Sequence, residues 1–202
     1  MFINGSNKRL LLKSPVHTGR VDLLRKIFPS CVFVHVHRDP ADVIRSSLHM
    51  ASCYYPSCYL QPTTIDEVMN FTFDQYKLLY RALFASETYV ELDSARFVEV
   101  SFDELDSSRG SVAHVVNVID RIYAALDLGK VPGNAIEAFL NDLLIVRQFQ
   151  KNDHANMLCG KFDERRLQAR IDQETAFVRK RYRYQTVTKP LPNRYHDPVI
   201  ND

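Results

Sequence analysis

The 202-residue sequence is marked first by what it lacks. No apolar run approaches the roughly 20 residues that a membrane-spanning helix needs, and no signal peptide opens the chain, so no membrane segment is expected. Net charge is only +2, which gives no global electrostatic argument for nucleic acid; any basic site must be local. The four cysteines, Cys31, Cys53, Cys58 and Cys159, match no zinc spacing. They read as free thiols of a reducing, cytoplasmic compartment, with no metal expected. The six glycines, Gly5, Gly19, Gly110, Gly129, Gly133 and Gly160, nowhere form glycine-x4-glycine-lysine-serine/threonine. A nucleotide phosphotransferase, which needs that phosphate loop, is therefore disfavoured. There is no internal repeat.

What remains is an ordinary globular composition, 46% hydrophobic and 25% charged, long enough for a sizeable core. The chain is organised around residues 10–50. Residues 10–12 are an all-leucine run, predicted as the end of a buried strand that Lys13-Ser14-Pro15 stops. Val21, Leu24, Ile27 and Phe28 recur at helical spacing, and Pro29 ends that helix. Residues 31–36, β-branched and aromatic, predict a second buried strand, with Arg38 at its carboxyl end. Asp39-Pro40 reads as an N-cap followed by proline at the first helical position, and Val43, Ile44 and Leu48 turn the helix inward. Two strands joined by a helix are parallel. Ligands of parallel sheets sit at the carboxyl ends of the strands, which places Lys13, His17, Arg38 and Ser46 near one edge.

Further along, residues 53–62 are rich in tyrosine and proline and read as a loop. Thr64 and Glu67 form a capping box that opens a helix to about Glu87, with Val68, Phe71, Tyr76, Leu79, Leu83 and Phe84 as mixed core positions. Residues 96–102 alternate as a third strand, and 103–110 as a turn. A helix follows to about Leu126, another from Asn134 to about Gln150, and a last one from the Asp163 cap to about Arg181. Residues 1–185 are expected to be one α/β domain and 186–202, with Pro190, Pro192 and Pro198, an irregular tail.

Several motifs carry a resemblance. Leu12-Lys13-Ser14-Pro15-Val16-His17, then Phe28-Pro29, then His37-Arg38-Asp39-Pro40 with Ser46 eight positions after the arginine, are similar to the sulfotransferase family. The segment from Phe97 to Leu105 resembles that family's strand and acidic turn. The likeness implies a P-loop nucleotide-kinase-like fold, a parallel sheet with flanking helices. It also implies 3′-phosphoadenosine 5′-phosphosulfate (PAPS) as co-substrate, and a small-molecule or glycan hydroxyl as acceptor. Arg38 and Ser46 then fall on the positions for the donor's 3′-phosphate, and Lys13 and His17 on positions for catalysis. Only twelve residues precede Lys13, too few for the family's first strand, phosphate loop and helix. The domain is therefore expected to be N-terminally incomplete, poorly active as this chain, and able to self-associate through an exposed sheet edge. A missing N-terminal anchor or signal would change the cytoplasmic assignment. A non-catalytic module that keeps the 3′-phosphate half-site is the alternative.

The residue types suit the chemistry. Sulfuryl transfer needs charge stabilisation at the moving group and a base for the acceptor hydroxyl. Lysine and histidine do those jobs. Arginine offers a phosphate its fork of donors, and Ser46 lies two turns along the helix on the same face. Each also has a plainer reading: Lys13 solvated, His17 a helix cap, Arg38 paired with Asp39 or Asp42, Ser46 filling a helix. His35 and His37 face one side of their strand and read as a packed or hydrogen-bonded pair rather than metal ligands. Arg179-Lys180-Arg181 reads as a solvated helix end. The arginine-lysine-glycine of some family members' donor sites is absent there and is not carried over.

Overall fold

The computed structural model describes residues 10–53, 55–91, 96–105, 112–129, 133–146 and 162–184. A 3-10 turn, Pro15–Gly19, leads into α1 (Val21–Ile27). Strand β1 (Phe33–His37) follows, then α2 (Pro40–Cys53). Next come α3 (Ile65–Ala85), α4 (Glu87–Glu91), β2 (Phe97–Ser101) and α5 (Phe102–Leu105). The chain continues through α6 (Val112–Ala125), α7 (Gly133–Val146), α8 (Glu164–Glu174) and α9 (Ala176–Tyr182). β1 and β2 pair in parallel, from Phe33 opposite Phe97 to His37 opposite Ser101. The fold is thus α/β around a two-stranded parallel sheet among the described residues.

Local chemistry accounts for the main boundaries. The Asp39 carboxylate accepts from the Ala41 N–H at 2.8 Å, capping α2 as its sequence predicts. Thr64 and Glu67 make the full capping box at the start of α3. One face of the sheet carries Phe33, His35, His37, Phe97 and Glu99. It meets a core built from Ile44 and Leu48 of α2, Phe73 and Leu83 of α3, and Leu167, Ile171 and Val178 of α8 and α9. The other face is partly covered: Val98 and Val100 of β2 pack against Val118 and Ile122 of α6. Burying one such aliphatic side chain is worth about 1.5–3 kcal/mol, so these layers fix how α2 and α9 meet the sheet.

Several expectations change. Residues 10–12 form no strand, and Leu11 is 90% exposed. Three leucines make a strand only when a neighbour shares their backbone hydrogen bonds, and no described strand lies beside them. Lys13 is therefore not held level with Arg38 on an adjacent strand. β1 is not buried on both faces: Val34 and Val36 are exposed because no described helix covers them. The tyrosine-rich loop contains a 3-10 turn, Tyr55–Cys58. α3 stops at Ala85, and its inward stripe is Met69, Thr72, Phe73, Tyr76, Tyr80 and Leu83, leaving Phe71 exposed. The predicted 163–181 helix is two helices, broken at Thr175, whose hydroxyl donates to the Ile171 carbonyl at 2.6 Å. The turn predicted at 103–110 begins inside the short helix α5. The end of the helix predicted to Gln150, residues 151–161 and the 186–202 tail lie outside the described residues. No helix among the described residues is long and apolar enough to cross a membrane.

Candidate functional site

The carboxyl ends of β1 and β2 bring His37, Arg38 and Asp39 beside Ser101 and Phe102. Arg38 donates through Nε and Nη2 to one oxygen of Asp42, at 2.9 and 2.7 Å, and its guanidinium lies 4.6 Å from the Phe102 ring centre. This is the plainer pairing that the sequence allowed. The Arg38 side chain keeps about a quarter of its surface exposed, and Asp42 occupies only part of its donor fork. Ser46 stands two turns along α2, half-buried, with no hydrogen-bond partner among the described residues. A helix N-terminus adds to such a place its own preference for negative charge.

The other two candidates sit differently. Lys13 is exposed in irregular backbone before the 3-10 turn. His17 lies within that turn, which packs on α3; an added Cβ at Gly19 would come within 3.0 Å of Leu79. The His17 Nδ1 is buried without a hydrogen-bond partner. Arg38 just precedes α2 and Ser46 lies two turns along it, whereas no described contact joins Lys13 or His17 to them.

Sequence reasoning missed a second set of residues, supplied by the C-terminal helices. Arg179 is buried, 4% exposed, and pairs with Asp172 at 2.8 Å and with Asp39 at 3.5 Å. Its Nε and Nη2 have no hydrogen-bond partner. Asp39 therefore both caps α2 and answers a buried cation, which ties the Arg38 turn to α9. The solvated-end reading of Arg179 is wrong, and the signal was available: Ile171, Thr175, Val178 and Tyr182 fall at inward helical spacing, and Arg179 sits among them.

Tyr182 stacks on His37 with ring centres 4.0 Å apart, and the Tyr184 hydroxyl lies 2.6 Å from His37 Nδ1. His35, one repeat down the strand, packs among Tyr80, Phe97 and Tyr182. Both histidines are thus packed among aromatic rings, and His37 is also hydrogen-bonded. Burial pushes the His35 pKa from 6.5 down to about 4, against the raising pull of Glu99. Burial also lowers His37, again opposed by Glu99, and raises Tyr182 and Tyr184. Both imidazoles are therefore neutral near neutral pH. Glu99 accepts from the Tyr182 and Tyr89 hydroxyls at 2.7 and 2.9 Å. Among the described residues no cluster of three or more histidine, cysteine, aspartate or glutamate side chains could hold a metal ion.

Comparison with known proteins agrees with these motifs. Residues 2–131 match the sulfotransferase family. Over 195 residues the chain is 30% identical to omega-hydroxy-beta-dihydromenaquinone-9 sulfotransferases of Mycobacterium bovis and Mycobacterium tuberculosis. The match covers 95% of this chain and 45% of each relative, so the chain spans under half the length of these proteins. No solved structure matches.

Proposed function

The chain belongs to the sulfotransferase family, and on that premise we propose that it serves transfer of a sulfuryl group from PAPS to a hydroxyl. The supporting observation is the first half of α2: Arg38, two residues before the helix, and an unengaged Ser46, two turns along it, follow the sheet's carboxyl edge. Arg38 and Ser46 hold the donor's 3′-phosphate in this reading, with Arg38 sharing its fork between the phosphate and Asp42. Ser46 stands about 10 Å along the axis, so the phosphate lies beside the first turns. His17 takes the proton of the acceptor hydroxyl, and Lys13 faces the sulfuryl oxygens, its exposed flexible stem free to approach.

The acceptor, in the same reading, is the hydroxyl of an extended apolar molecule, the class named for the mycobacterial relatives. A cavity of about 700 Å³ between the end of α2 and the start of α3 supports this over a glycan. Ala51, Pro56, Tyr59, Leu60, Val68 and Phe162 contribute to its lining. The fold in this reading is the P-loop nucleotide-kinase-like type.

Turnover by the 202-residue chain alone is expected to be low. The phosphosulfate needs several preorganised N–H donors, and the sequence contains no glycine-x4-glycine-lysine-serine/threonine loop. Losing one oxyanion-type donor already costs about 10²–10³ in rate. The test is radiolabelled sulfate transfer to a prenylated primary alcohol, by this chain and by a form carrying the relatives' additional length. Transfer by the longer form that His17→Ala abolishes supports the proposal. Absence of transfer, with donor binding intact, would favour the non-catalytic module.

A further inference from the structure

A second cavity, of about 720 Å³, opens between α3, α4 and α9, and none of Lys13, His17, Arg38 or Ser46 lines it. Its aromatic wall is Phe84, Tyr89 and Phe177. Phe84 meets Phe177 edge-on at 6.0 Å and Tyr89 at 5.9 Å. Tyr89 in turn contacts Phe97, the first residue of β2, at 5.3 Å. The cavity therefore adjoins the first residue of β2, with none of the four residues above on its wall.

The remaining wall is cationic. Lys180, Arg181 and Arg183 line it, and no carboxylate does. Arg181 is fixed by two hydrogen bonds to the Tyr89 hydroxyl, at 3.0 and 3.2 Å. Lys180 and Arg183 are exposed and make no ion pair among the described residues. Arg183 adopts φ 57°, the left-handed conformation that closes α9. Glycine takes that conformation without penalty and is the usual residue there; here the position carries a cation at the cavity mouth instead. The preference of a helix C-terminus for cations explains their sign. It does not explain an aromatic-walled cavity of small-molecule size beside them.

We propose that this cavity binds an amphipathic anion, an apolar body bearing one sulfate, phosphate or carboxylate head. The rings take the apolar body; Lys180 and Arg183 take the head, with Arg181 holding the wall in place. The site stands independently of the transfer reaction proposed above.

The chain contains no tryptophan, and Val90, exposed on the same cavity, offers a reporter position. The Val90→Trp protein is titrated with decyl sulfate below its micellar concentration, with decyl maltoside, and with sodium sulfate. The expected result is one saturable site for decyl sulfate, seen as a blue-shifted emission, and no saturable response to the other two. Adding Lys180→Glu and Arg183→Glu, both at exposed positions, should raise the dissociation constant at least roughly tenfold with an unchanged circular dichroism spectrum. Equal affinity after charge reversal would overturn the proposal, as would equal binding of the maltoside. Binding only to phosphatidylglycerol vesicles, with none to monomeric decyl sulfate, would overturn it in favour of a membrane-facing surface.

Discussion

His35 makes acid stability a quantitative test of the packed sheet face. Its imidazole is enclosed by Tyr80, Phe97, Tyr182 and His37, its Nε2 has no hydrogen-bond partner, and burial brings its pKa from 6.5 to about 4. The folded state therefore holds a neutral ring, while the unfolded chain takes up a proton near the ordinary value. Stability is lost as pH falls from about 6.5 toward 4. At about 1.4 kcal/mol per tenfold, the full loss is roughly 3 kcal/mol, of which about 2 kcal/mol falls between about pH 7 and pH 5. His37, also lowered by burial, adds in the same direction. The lowered carboxylates Asp22, Glu104 and Glu174 lose their contribution only at lower pH, so this window isolates the histidines. Urea unfolding at the two pH values, for the wild type and for His35→Phe, measures the effect. The variant keeps an aromatic ring and removes the unsatisfied nitrogen. Its loss between the two pH values should be smaller than the wild type's by about 2 kcal/mol. Equal losses in the two proteins would refute the buried, neutral His35.

Arg179→Ala leaves Asp39 and Asp172 without their buried cation and should destabilise by about 3–5 kcal/mol, read from the urea midpoint. Asp42→Asn removes the carboxylate that occupies part of the Arg38 fork, so adenosine 3′,5′-bisphosphate should bind several-fold more tightly by calorimetry; weaker binding would mean that Asp42 orients the arginine rather than competing for it. The exposed valines of β1 should support concentration-dependent association in sedimentation velocity, reduced by Val36→Lys.

Where a rule of local chemistry sufficed, the sequence was readable. Asp39-Pro40 announced α2, the Thr64–Glu67 pair announced α3, and the alternation before Ser101 announced β2. That the sheet is parallel was legible too, but which strands pair in it was not. Three leucines at 10–12 look like the end of a buried strand, and only tertiary context shows that no strand lies beside them among the described residues. The stripe of α3 was out of phase because Phe71 and Phe73 differ by about half a turn, and apolar character alone does not say which faces inward. For the candidate site, motif and spacing pointed to Arg38 and Ser46, and the structure sets them just before α2 and two turns along it. Arg179 was missed because cations at a helix end are ordinarily solvated, although its neighbours at inward spacing already marked the buried face. His37 was recognised as packed, but its partners Tyr182 and Tyr184 lie 145 and more positions away, beyond any local pattern.

The central claim is that Arg38 and Ser46 recognise a 3′-phosphate, and isothermal titration of this chain with adenosine 3′,5′-bisphosphate against adenosine 5′-monophosphate tests it most directly. The account predicts weak binding of the bisphosphate, a clear preference over the monophosphate, and loss of that preference in Arg38→Ala at a cost of about 1.5–3 kcal/mol. Equal affinity for the two nucleotides, or a preference that survives Arg38→Ala, would contradict it.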